Sequence, residues 1–175
     1  MIIDLRTISH APLHLEFSLE RGWWKAEEEG DRILGLEGPL KVDITIERVE
    51  DKYTLEGVMR GAFRLKCDRC LETYIHHIES AWSLLLAVPP SGIDEGEIEL
   101  FEDDLAVDFI QGFEINLDDI VREQIFLAMP FKSLCKEECS GLCIACGANL
   151  NIEKCTCPKE KRHTAFSKLE GLKVQ

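Results

Sequence analysis

Cysteine thiols are the side chains of this chain whose type and spacing could do chemistry. Six of the eight lie close together near the C-terminal end, at Cys135, Cys139, Cys143, Cys146, Cys155 and Cys157. The other two, Cys67 and Cys70, form a separate C-x-x-C pair far upstream. Thiolates two to four residues apart can converge on one point, and zinc takes four such ligands in a tetrahedron. The spacing therefore predicts a zinc site built from the C-terminal cysteines.

The clearest part of this signal is the run Cys143-Ile144-Ala145-Cys146-Gly147. A C-x-x-C pair followed by glycine favours a tight turn whose backbone amides face the sulfurs, since glycine tolerates a positive φ. Gly141 supplies a second flexible joint just before this turn. Disulfides would instead require an oxidising compartment, and we see no export signal that would take the chain to one.

Two groupings of the eight cysteines are compatible with their spacing. One has a first site of Cys135, Cys139, Cys143 and Cys146, and a second site of Cys67, Cys70, Cys155 and Cys157. The other has a single zinc and four free thiols, the zinc ligands being Cys143, Cys146, Cys155 and Cys157. The spacing does not choose between them. Either way, ligation by cysteine alone predicts a structural zinc, because catalytic zinc sites usually keep one position open.

Length and charge narrow the class of protein. The 175 residues suffice for one domain, or for one domain and a small metal module. The net charge of -13 argues against broad, non-specific nucleic-acid binding and suits a basic partner such as a ribosomal protein. No segment has the roughly 18 to 20 apolar residues that a membrane span requires. We therefore expect a protein of the reducing cytoplasm with no membrane partner.

Period-two alternation of apolar residues predicts a body of antiparallel strands. It is clearest over residues 40–49 and continues over 53–66 and 73–88, with shorter strands over 1–8 and 14–19. Gly57 and Gly61 fall on the inward face of the second long strand and suggest bends or bulges. The expected fold is α+β: a mostly antiparallel, barrel-like meander.

One or two helices are expected to cover this sheet. Asn116 is a good N-cap for a helix over residues 117–129, with acidic residues in its first turn and Pro130 at its end. An acidic linker at 89–108 precedes it, and a second short helix could follow Cys157. The organisation is then a body at 1–130 and a cysteine-rich zinc module with a basic tail at 131–175.

Candidate functional residues outside the cysteines are few. The tail has a local excess of positive charge, and we take Lys159, Lys161, Arg162 and Lys168 as candidates for RNA contact. We find no catalytic constellation, so a nuclease or another enzyme is not expected. The alternative is a thiol redox or metal-handling protein that uses the Cys67 and Cys70 pair, although a redox pair would suit a strand-to-helix junction better.

Several of these motifs together resemble the YceD family of large ribosomal RNA subunit accumulation proteins. The matching stretches are CDRCLE at 67–72, the helix ending LAMPFKSLC, and the pattern C-x-x-x-C-x-G-L-C-x-x-C-G-x-N-L-N that begins at Cys135. Ile144 stands where many members have proline. Some members lack the C-terminal cysteines, which fits a structural metal. The resemblance implies a role in 23S ribosomal RNA accumulation or processing, with ribosomal RNA or a precursor large subunit as the partner.

Overall fold

A computed structural model describes residues 1–9, 11–25, 31–89 and 107–157. Its elements within these ranges are eight strands, one α-helix and two 3-10 turns of three residues, Leu5–Thr7 and Arg21–Trp23. The strands and the α-helix carry the labels used below. In chain order they are β1 (Ile2–Asp4), β2 (Leu13–Leu19), β3 (Ile33–Leu36), β4 (Leu40–Val49), β5 (Lys52–Lys66), β6 (Thr73–Ala87), β7 (Val107–Phe109), β8 (Glu114–Asn116) and α1 (Leu117–Ala128).

The main sheet is an open one with the strand order β2–β4–β5–β6–β7. The three long strands β4, β5 and β6 form the predicted antiparallel meander, and β3 pairs with β5 as well. At the two ends of this order, β2 pairs with β4 alone and β7 pairs in parallel with β6 alone. Because these two strands do not pair with each other, the expected barrel-like closure is wrong for the described part of the chain.

The two glycines of β5 make room for neighbouring side chains without a bulge in the β5–β6 ladder. The β5–β6 register continues without a shift through Gly57, which lies opposite Trp82. A Cβ atom on Gly57 would come within 2.2 Å of the Trp82 ring, and one on Gly61 within 2.7 Å of Leu40 Cδ1. The interpretation of these glycines as bulges was therefore wrong.

The inward face of the sheet and one face of α1 build the core. Met59 and Phe63 of β5 are fully buried, as are Val121 and Ile125 of the helix to within about 1%. Trp24 is also buried, with its ring edge-on to Phe63 at a centroid distance of 6.0 Å. Apolar burial of this kind is the main favourable contribution to folding.

The helix begins and ends close to its predicted bounds. The Asn116 side chain accepts a hydrogen bond from the Asp118 amide at 3.2 Å, as an N-cap residue should. The helix ends at Ala128, and Pro130 follows two residues later. From there the chain runs directly to Cys135, so α1 sets the position from which the cysteine-rich segment starts.

The first predicted strand is only partly correct, since Ile2–Asp4 is a strand and Leu5–Thr7 is a 3-10 turn. β1 pairs with β8 in a separate two-stranded sheet. Most of the acidic linker, the basic tail and the expected second helix lie outside the described residues. Among the described residues, no helix has the length and apolar character needed to cross a membrane.

Candidate metal centre

The eight cysteines form two groups of four. The inner cluster consists of Cys67, Cys70, Cys135 and Cys139, and the outer cluster of Cys143, Cys146, Cys155 and Cys157. Within each cluster all four sulfurs lie within 4.8 Å of one another, and all eight thiols are free of disulfides. The first predicted grouping, which placed Cys135 and Cys139 in one site with Cys143 and Cys146, is therefore wrong. The second grouping names the outer cluster correctly, but the remaining four thiols also come together.

The inner cluster joins two distant parts of the chain. Cys67 follows β5 directly and Cys70 lies in the turn before β6, whereas Cys135 and Cys139 lie in the segment after α1. The Sγ atoms of Cys67 and Cys139 are 3.8 Å apart, and those of Cys70 and Cys135 are 3.6 Å apart. Each of these contacts pairs a sulfur of the turn with a sulfur of the C-terminal segment.

Hydrogen bonds between the same two parts hold the inner cluster in place. The Asp68 amide donates to the Ser133 carbonyl at 2.8 Å, and the Ser133 amide donates to Asp68 Oδ2 at 2.7 Å. Arg69 Nη1 donates to the Cys139 carbonyl at 2.9 Å. Arg32, just before β3, lies 3.7 Å from Asp68 Oδ2 and so adds an ion pair beside the turn. These contacts explain how four thiols so far apart in sequence meet in the fold.

The outer cluster is local and more exposed. The Cys155 Sγ lies 3.3 Å from the Cys143 Sγ and 3.6 Å from the Cys146 Sγ. Cys146 is exposed and the other three members are half-buried, whereas three members of the inner cluster are fully buried. The inner cluster is therefore mostly buried in the protein, and the outer cluster lies nearer the surface.

Both clusters use the same kind of turn. In the outer cluster the Gly147 amide donates to the Cys143 carbonyl at 2.8 Å, and Gly147 has φ +76°, as the sequence predicted. In the inner cluster the Leu71 amide donates to the Cys67 carbonyl at 3.0 Å, and Leu71 has φ +62°. This second turn left no signal in the sequence, because its positive-φ position is a leucine, a residue that rarely adopts this conformation.

Backbone amides tune the ionisation of the inner thiols. Burial raises the pKa of Cys67, but the amides of Cys135, Cys70 and Arg69 donate to its sulfur and bring the pKa down to about 6. Burial and the neighbouring sulfurs, Cys70 first, raise the pKa of Cys135 to about 12. Cys67 thus ionises readily, and its negative charge opposes the ionisation of Cys135.

The outer cluster shows the same division. The amides of Ala145 and Cys146 donate to the Cys143 sulfur and lower its pKa to about 6. The Cys157 thiol donates to the neighbouring sulfurs of Cys155 and Cys146, and this raises its pKa to about 12. Four thiolates at this range repel one another, so a divalent cation among them would offset the repulsion and favour full ionisation.

The sulfur spacing fits a tetrahedral metal site. A zinc ion with Zn–S distances of about 2.3 Å places its four sulfurs about 3.8 Å apart. The closest measured sulfur contacts in the two clusters fall between 3.3 and 3.8 Å. A disulfide would require about 2.05 Å. Both clusters could therefore hold a metal ion with four thiolate ligands.

Two residues beside the inner cluster were not singled out by the sequence. Asp68 lies inside the C-x-x-C pair, and Asn151 lies in the loop between Cys146 and Cys155. Asn151 Nδ2 donates to Cys139 Sγ at 3.3 Å. Both lie in the stretches that carry the family resemblance, and Asp68 directly follows Cys67, but nothing in the spacing showed what they contact. The RNA-contact candidates Lys159, Lys161, Arg162 and Lys168 lie outside the described residues.

Comparison with known proteins identifies relatives of this chain. It is 29% identical over 158 residues to the large ribosomal RNA subunit accumulation protein YCED homolog 1, chloroplastic, of Arabidopsis thaliana, which covers 78% of this chain and 49% of that protein. The Zea mays protein of the same name is 29% identical over 157 residues, 77% of this chain and 53% of that protein. An uncharacterized Mycobacterium leprae protein is 27% identical over 115 residues, 66% of this chain and 51% of that protein.

The chain spans about half the length of these curated relatives. No solved structure matches it at a significant level. The family described as large ribosomal RNA subunit accumulation protein YceD matches residues 55–173, which include both cysteine clusters. The chain therefore belongs to the YceD family of large ribosomal RNA subunit accumulation proteins.

Proposed function

We propose that this protein is a non-enzymatic factor for the accumulation or processing of 23S ribosomal RNA in large-subunit biogenesis. The observation that carries the proposal is the family match over residues 55–173, together with two relatives named for ribosomal RNA accumulation. Ribosomal RNA or a precursor large subunit is the partner in this account. Its place of action is a reducing compartment such as the cytoplasm, where cysteine thiols persist.

The proposed cofactor is zinc, bound at both cysteine clusters as a structural ion. The tetrahedral sulfur spacing supports this role, as does ligation by four thiolates, which leaves no position for water or substrate. The segment from 131 to 157 contains no regular helix or strand of its own. Metal binding would supply the folding free energy that packing does not provide there.

The division into a body at 1–130 and a zinc module at 131–175 remains part of this proposal. The inner cluster would join the two parts, because it takes two cysteines from each. In this arrangement the acidic body engages a basic ribosomal protein, and the tail residues Lys159, Lys161, Arg162 and Lys168 contact RNA. The zinc module would fix where the tail begins.

Burial favours this structural role over thiol redox chemistry at the C-x-x-C pair. Thiol exchange requires a sulfur that a partner molecule can reach. Cys67 is 0% exposed and Cys70 only 4% exposed. We expect both to react slowly with an alkylating reagent in the zinc-loaded protein. Rapid, selective alkylation of this pair would instead support the redox alternative.

Depletion and complementation test the ribosomal role. Cells that lack the protein should lose 23S ribosomal RNA relative to 16S, and the full chain should restore the ratio. A variant with Lys159, Lys161, Arg162 and Lys168 changed to alanine should bind ribosomal RNA more weakly at low salt, with a shallower salt dependence. The matched control changes the exposed body residues Lys25 and Lys41 to alanine and should bind as the original protein does.

The outcomes separate the parts of the proposal. An unchanged 23S level after depletion, with no association with RNA or precursor subunits, would rule out the ribosomal role. Restoration by the tail variant would leave that role standing and remove the tail as the contact site. Absence of bound metal from the purified chain would remove the zinc sites and leave the RNA result unaffected.

A further inference from the structure

Asn151 lies where the two cysteine clusters meet. In sequence it belongs to the loop between Cys146 and Cys155 of the outer cluster. Its side-chain amide nevertheless contacts the inner cluster, because Nδ2 donates to Cys139 Sγ at 3.3 Å and Oδ1 accepts from the Ser140 amide at 2.9 Å. Asn151 therefore belongs to the loop of the outer cluster and donates a hydrogen bond to a sulfur of the inner cluster.

A second asparagine fixes the orientation of the Asn151 side chain. Asn149 Oδ1 accepts from the Asn151 backbone amide at 3.0 Å and from Asn151 Nδ2 at 2.9 Å. Asn149 Nδ2 in turn lies 3.4 Å from Glu72 Oε1, in the turn that carries Cys67 and Cys70. The Asn151 amide is thus held by hydrogen bonds from several directions, and one of its donors is directed at the Cys139 sulfur.

The loop that carries these asparagines is closed by the outer cluster. At its start, the Cys143 amide donates to the Ala148 carbonyl at 2.8 Å, and the Leu150 amide donates to the Gly141 carbonyl at 2.9 Å. At its end, the Cys155 Sγ lies 3.3 Å from the Cys143 Sγ. A metal ion in the outer cluster would join the two ends and restrict the loop, including Asn151.

Hydrogen bonds to ligand atoms affect metal affinity. A donor to a thiolate stabilises its charged form and orients it, and loss of such an outer-shell partner typically costs about 10- to 100-fold in metal affinity. The Asn151 amide is such a donor for Cys139. Any restriction of the loop by a metal ion in the outer cluster would therefore act on this donor.

We propose that the two clusters bind metal cooperatively, with Asn151 as the positioning residue that couples them. This inference depends on the proposed metal binding at both clusters. Metal in the outer cluster orders the loop, the loop places the Asn151 amide on Cys139, and the affinity of the inner cluster rises. Because binding free energies are reciprocal, inner occupancy raises the affinity of the outer cluster by the same factor.

Occupancy of each cluster can be measured separately in the full chain. The zinc-loaded protein is equilibrated with graded concentrations of a chelator, free thiols are alkylated, and peptide mapping counts the protected cysteines of each cluster. Asn151→Ala should lower the zinc affinity of the inner cluster about 10- to 100-fold. Asn151→Asp keeps the acceptor for Ser140 but removes the donor, so it should lower the affinity at least as much.

The matched control is Ile152→Ala, in the same loop but 77% exposed, and it should leave the inner affinity unchanged. Cys146→Ser, which breaks the outer cluster, should lower the inner affinity as Asn151→Ala does. The double variant should be no weaker than either single variant, because both remove the same coupling.

Two results would overturn the coupling. One is an inner affinity that Asn151→Ala and Asn151→Asp leave unchanged, and the other is a double variant whose losses simply add. The first result would remove Asn151 as the residue that couples the clusters, and the second would show that the outer cluster acts on the inner one by a separate route. Both metal sites and the proposed function would stand in either case. A chain that binds no zinc would remove the metal sites themselves, so the two failures are distinguishable.

Discussion

Cys67→Ser is expected to detach the C-terminal segment from the body without unfolding the sheet. The Cys67 sulfur is fully buried and is one of four in the inner cluster, so its loss removes a metal ligand. Serine oxygen is a poor replacement for a thiolate in a zinc site of this kind. The outer cluster keeps its own four cysteines and should keep its metal.

The size of the effect follows from what still joins the two parts. Apart from the long contact of Asn149 with Glu72 at 3.4 Å, three hydrogen bonds of 2.7 to 2.9 Å remain between the turn and the segment: Asp68 amide to Ser133 carbonyl, Ser133 amide to Asp68 carboxylate, and Arg69 to the Cys139 carbonyl. At about 1 kcal/mol each they give about 3 kcal/mol, or about 10²-fold protection from amide exchange. With zinc bound, whose binding contributes about 10 kcal/mol or more, these amides should exchange only on global unfolding.

Amide exchange read residue by residue is the assay. In the zinc-loaded protein, the Asp68 and Ser133 amides should be protected on the order of 10⁴-fold or more, as expected for global opening. In Cys67→Ser the protection of both amides should fall to about 10²-fold. The amides of Ile44 and Phe63, in the central strands, should keep their protection. Cys143→Ser is the control when zinc is saturating, since it leaves all four inner cysteines in place and an inner site weakened about 10- to 100-fold then stays occupied.

Two outcomes would refute this reasoning. If Asp68 and Ser133 keep their full protection in Cys67→Ser, the inner cluster does not hold the segment in place. If Ile44 and Phe63 lose protection together with them, the sheet and the segment form one cooperative unit, and the boundary near residue 130 is wrong.

The glycine positions give further predictions. Gly57→Ala places a methyl group within 2.2 Å of the Trp82 ring, so it should destabilise the protein by about 1–3 kcal/mol in thermal or denaturant unfolding; unchanged stability would show that this ring moves freely. Gly147→Ala meets no atom within 4 Å, so only its φ of +76° opposes it, and the outer turn should lose about 1 kcal/mol, measured as weaker zinc binding there. Leu71→Gly should leave zinc binding at the inner turn no weaker, since its φ of +62° suits glycine; a marked loss would mean that the leucine side chain matters.

Local patterns in the sequence predicted the elements that position the clusters. The strand Leu40–Val49 has the predicted bounds, because alternation along one strand reports directly which face is buried. The N-cap Asn116 and the stop before Pro130 also predicted α1 well, since both act through the adjacent backbone. These features depend on residues only a few positions apart.

The grouping of the cysteines and the role of the glycines could not be predicted in the same way. Cys70 and Cys135 are 65 residues apart, and their contact depends on the β5–β6 turn meeting the segment after α1. Position 57 requires glycine because the Trp82 ring occupies the space of a Cβ atom, and the β5–β6 register places Trp82 there. Tertiary contacts of this kind leave no mark in the spacing of neighbouring residues.

Metal stoichiometry tests the central claim most directly. Native mass spectrometry of the full chain, with elemental analysis to identify the metal, should find two zinc ions per chain, and all eight thiols should be protected from alkylation until a chelator is added. One zinc ion, with Cys67, Cys70, Cys135 and Cys139 freely alkylated, would contradict the inner site. A chain without metal would contradict both sites.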